Sequence, residues 1–119
     1  MASIYYALIM KIFVDGSGKT GKYCYVSEGR APKILEERGI TNNQAEYKAI
    51  IAALRDIKEK NVEILSDSEL VVKQLTHDYS IKNDLLRQLA EEIWKLSEGR
   101  KVKFYWIPRS KNKAGKVLG

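Results

Sequence analysis

The stretch KIFVDGS (residues 11–17) decides the fold of this chain. It completes a run, residues 5–14, that is apolar at nearly every position, as expected of a central strand buried on both faces of a sheet. Asp15 stands where that strand ends, and it is followed by a turn rich in glycine. The carboxyl end of a central strand is where open α/β sheets place their functional groups.

Two further acids occupy comparable positions. Asp67 follows the short apolar strand VEILS at 62–66, and Glu46 lies in the first turn of a helix predicted over about 41–60. If that helix makes a right-handed crossover, the two strands are parallel neighbours and Asp15 and Asp67 project from one edge of the sheet. Carboxylates held this close repel one another, and a divalent cation relieves the repulsion. The three acids therefore predict a metal site.

The remaining pattern predicts the α/β class, with one mixed five-stranded sheet. Three antiparallel strands come first, parallel strands follow, and helices pack on both faces. The other predicted elements are a hairpin of 21–28 and 31–38, a brief helix over 68–75, a longer helix over 83–97 and an edge strand over 101–107. Asn42 or Asn43 is expected to cap the first helix. Residues 1–119 are expected to form a single domain.

The bulk composition indicates an ordinary globular protein with a polyanionic partner. The chain has 119 residues, 45% of them hydrophobic, and a net charge of +6. Its single cysteine, Cys24, excludes an intramolecular disulfide and is typical of a reducing compartment. The apolar run near the N-terminus is too short to span a membrane. We therefore expect a soluble, cytoplasmic, monomeric protein without membrane contact.

Four segments closely resemble the signature segments of type 1 ribonuclease H, in the same order and at similar spacing. They are DGS at 15–17, TNNQAEY at 41–47, SDSELVVKQ at 66–74 and WIPRSKNK at 106–113. The resemblance is closest to the compact bacterial and archaeal forms. It implies a ribonuclease H-like fold and endonucleolytic cleavage of the RNA strand of an RNA/DNA hybrid, supported by two Mg²⁺ or Mn²⁺ ions. Ligands that are all oxygen suit these ions better than zinc.

The resemblance also implies roles for individual residues. Asp15, Glu46 and Asp67 match the family's catalytic, metal-binding carboxylates. Amides in the second segment match positions that touch the minor groove of the hybrid, where side chains of this type can bond to 2′-hydroxyls. Those amides are Asn42, Asn43 and Gln44. The predicted substrate-binding set also includes Gly16, Ser17 and Ser68, which stand beside the acids, and Arg109, whose guanidinium can hold a phosphate.

The chain departs from the family where a fourth carboxylate is expected, because no Asp or Glu follows Glu98. By the same comparison, the C-terminal helix is expected to be short or missing. Depending on the alignment, Gly115 or Lys116 takes the place of that acid, and Asn112 is a possible substitute ligand. Three interpretations stay open: an enzyme weakened to three carboxylates, a catalytically inactive hybrid-binding module, and an altered or truncated version of a normal enzyme. A resolvase or integrase core of the same fold is disfavoured by TNNQAE, which predicts contacts with 2′-hydroxyls.

Overall fold

The computed structural model describes residues 8–119, which form one five-stranded sheet and four helices. The strands are β1 (Met10–Gly16), β2 (Lys22–Ser27), β3 (Lys33–Glu36), β4 (Asn61–Ser66) and β5 (Lys101–Trp106). The helices are α1 (Asn42–Asp56), α2 (Glu69–Leu75), α3 (Asp84–Leu96) and α4 (Lys113–Leu118), and a 3₁₀ turn at Arg109–Lys111 precedes α4. Of the predicted first strand, the part before residue 8 lies outside the described residues.

The sheet has the order β3-β2-β1-β4-β5, which places β1 at its centre. β1 pairs antiparallel with β2 and parallel with β4, β2 pairs antiparallel with β3, and β4 pairs parallel with β5. This arrangement confirms the predicted mixed sheet. Since β1 and β4 run in parallel with Phe13 opposite Leu65, their carboxyl ends lie side by side.

Helices cover both faces of the sheet, as two neighbouring residues of β2 demonstrate. Tyr25 donates a hydrogen bond to Asp56 of α1, whereas the Cys24 thiol donates to the Ala114 carbonyl of α4. Successive residues of a strand point to opposite faces, so α1 and α4 lie on opposite sides. The main core lies between the sheet and helices α1 and α3, and its largest fully buried side chains are Ile12, Tyr47, Ile50, Leu54, Ile57, Ile64 and Ile93.

The boundaries of α1 correct two expectations. Its N-cap is Thr41, not Asn42 or Asn43, because the Thr41 hydroxyl accepts from Gln44 N while the Gln44 amide oxygen accepts from Thr41 N. The helix ends at Asp56 rather than near residue 60, since Ile57 adopts an extended conformation and is fully buried in the core.

The C-terminal helix is present and six residues long. The Asn112 side chain caps it by accepting from Ala114 N. Among the described residues, no helix combines the length and apolar character needed to cross a lipid bilayer.

Candidate metal centre

Three carboxylates converge at the carboxyl ends of the two central parallel strands. Asp15 belongs to the end of β1, Asp67 directly follows β4, and Glu46 lies in the second turn of α1. The expected first-turn position of Glu46 is wrong, because α1 is capped by Thr41 and its first turn holds no acid. One oxygen from each carboxylate lies within 4.8 Å of the other two. The structure thus brings together the three acids that the sequence singled out.

A glycine lets α1 approach the strand that carries Asp15. A Cβ atom on Gly16 would lie 2.5 Å from the backbone carbon of Ala45, a distance that no side chain tolerates. The close approach lets Gly16 N donate to Glu46 Oε1 at 3.2 Å, and Ser66 Oγ lies 3.4 Å from Glu46 Oε2. These two contacts orient the Glu46 carboxylate towards the strand ends.

Burial and mutual repulsion raise the pKa of two of the acids. Glu46 is 6% exposed, and its pKa rises to about 9, first through burial and then through its contacts with Asp15 and Asp67. The pKa of Asp15 is also raised, first by burial and then by the charge of Asp67, with partial offset from hydrogen bonding to Glu46. Without a cation, the cluster therefore retains a proton near neutral pH.

The donor set fits Mg²⁺ or Mn²⁺. All the candidate ligand atoms are carboxylate oxygens, which these ions prefer. A divalent cation would also replace the proton that Glu46 retains and compensate the negative charge of the cluster. Asp15, Glu46 and Asp67 are therefore the residues that could hold a metal ion.

Position 115 is directed at the cluster. A Cβ atom on Gly115 would lie 3.5 Å from Asp15 Oδ2 and 3.9 Å from Asn112 Cβ, which are ordinary van der Waals distances. An aspartate at this position would therefore extend its carboxylate next to Asp15. Lys116 also lines the surrounding cleft, so a positively charged side chain follows the position that lacks an acid.

The amides of α1 do not all face the site in the same way. Asn42 and Asn43 line the cleft, and Asn42 Oδ1 accepts from Gly18 N at 2.6 Å, which ties the β1–β2 turn to the helix. The Gln44 amide oxygen is occupied by the capping box with Thr41. Among the three amides, Asn42 and Asn43 are thus the two placed at the cleft.

A cleft of about 890 Å³ surrounds the acids, and several predicted substrate-binding residues line it. Ser17 and Gly16 lie on the β1 side, and Ser68, whose hydroxyl caps α2 by accepting from Val71 N, lies beside Asp67. Arg109 extends into solvent with 87% of its side chain exposed, and its Nε is 4.0 Å from Asp67 Oδ2. The cleft therefore offers a positively charged rim above a negatively charged centre.

The sequence did not predict the positions of three residues at the site. The Trp106 indole donates to the Asp67 carbonyl at 3.1 Å, and Lys19 and Thr20 line the cleft. Their roles depend on how β5 and the β1–β2 turn sit beside the cluster. The glycines around Lys19 were a signal for a turn, but not for a turn that reaches the site.

Comparison with known proteins agrees with this geometry. The family model described as RNase H matches residues 8–115. The bifunctional protein Rv2228c of Mycobacterium tuberculosis is 36% identical over 76 residues, which cover 60% of this chain and 21% of that protein. The chain thus spans about a fifth of the length of the first curated relatives it matches.

Solved structures match over nearly the whole chain. RNase H1 from the halophilic archaeon Halobacterium salinarum superimposes with a TM-score of 0.80 at 28% identity, covering 92% of this chain and 93% of that one. LC11-RNase H1, isolated from compost and solved in complex with an RNA/DNA hybrid, gives a TM-score of 0.70 at 26% identity, covering 93% and 99%.

Proposed function

The chain belongs to the RNase H family, and from that premise we propose that it hydrolyses the RNA strand of RNA/DNA hybrids as a metal-dependent endonuclease. The observation that carries the proposal is the convergence of Asp15, Glu46 and Asp67, whose oxygens lie within 4.8 Å of one another at the end of the central strands. The LC11-RNase H1 complex with a hybrid, a structural neighbour of this chain, supports the choice of substrate.

Asp15, Glu46 and Asp67 are the proposed ligands of two Mg²⁺ or Mn²⁺ ions. When bound, such ions supply Lewis-acid activation of water and compensate the charge on the leaving oxygen of a phosphodiester. The protein's own contribution is to hold the carboxylates rigidly, because Gly16 N and Ser66 Oγ fix the Glu46 carboxylate. Hydrolysis of the bond between phosphorus and the 3′-oxygen would leave a 3′-hydroxyl and a 5′-phosphate.

The residues lining the cleft are the proposed hybrid contacts. Asn43 and the free N–H groups of Asn42 are placed to bond to 2′-hydroxyls, which distinguish RNA from DNA. Gly16, Ser17 and Ser68 are proposed to contact sugar or phosphate through their backbone or hydroxyl groups. Gln44, which does not line the cleft, is proposed to reach the hybrid only through its amide nitrogen, because the capping box occupies its oxygen.

Arg109 is proposed to bind phosphate. Its guanidinium stays charged at neutral pH, so it cannot remove a proton from water, but its planar donors suit phosphate oxygens. In the free protein it lies 4.0 Å from Asp67 Oδ2. Because its side chain is highly exposed, little energy is needed to swing it towards a bound strand.

A second candidate function is hybrid binding without cleavage, which the glycine at position 115 favours. A site with three acids and Lys116 nearby has one negative charge fewer to hold two divalent ions. We infer that cleavage is weakened rather than lost, because the three acids are brought together within 4.8 Å of one another.

The Gly115→Asp variant separates the two candidates. The parent protein and the variant are incubated with an end-labelled hybrid in Mg²⁺ and then in Mn²⁺. We expect slow cleavage by the parent and at least about tenfold faster cleavage by the variant, because a Cβ at position 115 fits beside Asp15 without a clash and a fourth carboxylate can be added there. If both proteins bind the hybrid and neither cuts it, the binding module is the correct function.

We further propose that residues 1–119 act as one domain and as a monomer, since one sheet and one core account for the described residues and one chain supplies all three acids. A reducing compartment such as the cytoplasm is proposed because Cys24 is a buried free thiol.

A further inference from the structure

A buried asparagine joins three parts of the chain behind the acids. Asn112 is 0% exposed and lies between the 3₁₀ turn and α4. Its Nδ2 donates to the Val14 carbonyl of β1 at 2.9 Å and to Asp67 Oδ2 at 3.0 Å, and its Oδ1 accepts from Ala114 N at 3.1 Å. Both of its N–H groups and its oxygen are therefore engaged.

These partners fix which end of the amide faces the acids. If the Asn112 amide were rotated by half a turn, its oxygen would face the Val14 carbonyl and the Asp67 carboxylate, and its N–H groups would face Ala114 N–H. Acceptors would then face acceptors and donors would face donors, and the free-energy cost of such unsatisfied polar groups is high at a buried position. The nitrogen of Asn112 therefore faces the cluster, and this end of an amide cannot bind a cation.

We propose that Asn112 is a positioning residue for the metal centre and not a substitute ligand in it. Asn112 donates to Asp67 Oδ2 while it is anchored on Val14 of the central strand, so it holds the Asp67 carboxylate in one orientation. The other carboxylate oxygen, Asp67 Oδ1, is not engaged by Asn112. The proposal rests on the proposed function in one respect, the choice of a divalent cation as the ligand of Asp67.

The same amide couples the site to α4. Because Asn112 Oδ1 caps that helix, the residue that orients Asp67 also sets where α4 begins and how closely Gly115 approaches Asp15. A second tie from the sheet, the Cys24 thiol to the Ala114 carbonyl at 3.3 Å, holds α4 without contacting Asp67. This arrangement provides a matched control.

The test compares Asn112→Ser with Cys24→Ala. Serine retains a good N-cap for α4 but is too short to donate to both Val14 and Asp67. Alanine at position 24 removes the other tie to α4 and leaves the donor to Asp67 intact. Both variants weaken the attachment of α4, but only the first disturbs Asp67.

Two readouts are measured on the full chain. The first is the affinity for Mn²⁺ alone, by calorimetry: we expect a loss of about 10- to 100-fold for Asn112→Ser, the range typical of residues that orient metal ligands, and less than about twofold for Cys24→Ala. The second is the side-chain rotamer of Asp67 in the metal-free protein, from NMR couplings: we expect one rotamer in the parent and Cys24→Ala, and averaging in Asn112→Ser.

Unchanged Mn²⁺ affinity in Asn112→Ser, or a single Asp67 rotamer in that variant, would overturn the proposal. If Asn112→Ser does not fold, averaging of Asp67 in the parent would overturn it equally, and a single rotamer with slowly exchanging Asn112 amide hydrogens would support it. If the expected shifts occur but no protein cuts a hybrid, the proposed function fails and the role of Asn112 stands.

Discussion

At the scale of single residues, the electrostatics of the site depend on Glu46. This acid is buried, and its nearest charged neighbours are two more acids, Asp15 and Asp67. Its pKa is raised from an ordinary 4.5 to about 9. The energy cost of assembling the cluster is therefore present in the metal-free fold and is relieved when a cation binds.

This shift predicts how the stability of the metal-free protein depends on pH. The folded pKa of Glu46 exceeds the unfolded one, so the folded state binds a proton more tightly than the unfolded state does. The contribution of protonated Glu46 to the free energy of unfolding is therefore fully present below about pH 4.5 and is lost as pH rises through about 9. We expect the melting temperature in EDTA to fall across this range, and the fall to be much smaller in Glu46→Gln. Thermal unfolding at several pH values checks this.

Added Mg²⁺ should restore part of the lost stability of the parent at high pH and little of that of Glu46→Gln. An equal dependence on pH in the two proteins would show that Glu46 is not the group responsible.

The three acids could be predicted from the sequence because each position follows from a local pattern, a strand end or the start of a helix, although Glu46 lies one turn further into α1 than expected. The function of Asn112 could not, because it depends on which way an amide faces. That orientation is set by Val14 and Asp67, which are 98 and 45 residues away along the chain.

At the scale of elements, a buried hydrogen bond connects the helix that carries Glu46 with the helix that follows Asp67. Tyr47 of α1 is fully buried, and its hydroxyl donates to Gln74 Oε1 of α2 at 2.7 Å. Burial also raises the pKa of the Tyr47 hydroxyl, which keeps it protonated and able to donate. This hydrogen bond thus contributes to fixing the position of α2 relative to α1.

We predict that Tyr47→Phe lowers the free energy of unfolding by about 1–3 kcal/mol, because Gln74 is left buried without its partner. Urea unfolding measures the change. Tyr79→Phe, at an exposed position, is the control and should change stability by less than about 0.5 kcal/mol. Similar losses in the two variants would contradict a structural function for the buried bond.

The start of α1 illustrates what can be predicted for an element. Thr41 and Gln44 have the spacing of a capping box, so the cap was accessible from the sequence. The expectation of an asparagine cap failed because Asn42 instead accepts from Gly18 N, a contact made across the β1–β2 turn. The predicted end of the helix was also wrong because of tertiary packing, since Ile57 adopts an extended conformation and is buried in the core.

At the scale of the whole molecule, the distribution of basic side chains around the acids suits a polyanionic partner. The chain carries a net charge of +6, and Lys19, Arg109 and Lys116 line the cleft around the acids. The overall fold was predictable because its pattern of strands and helices is strongly periodic. Arg109 was expected among the substrate-binding residues and Lys116 at the place of the fourth acid. Lys19 was not expected at the cleft, because it lies in a turn whose placement depends on the assembled sheet.

This arrangement predicts hybrid binding that weakens steeply with salt. For about four phosphate contacts, affinity should fall roughly 100-fold between 50 and 200 mM salt. Fluorescence anisotropy with the Asp15→Asn variant measures binding while avoiding cleavage. In an Arg109→Gln background the slope of log affinity against log salt should decrease by about one, and a slope that does not respond to Arg109 would argue against its contact with phosphate.

The most direct test of the central claim is cleavage of a hybrid labelled on both strands, by the parent protein and by Asp15→Asn, in Mg²⁺ and in Mn²⁺. We predict that the parent cuts the RNA strand and leaves the DNA strand intact, and that Asp15→Asn folds normally but does not cut. Equal cleavage by the two proteins, or cutting of the DNA strand, would contradict the assignment of Asp15, Glu46 and Asp67 as the metal centre of a ribonuclease H.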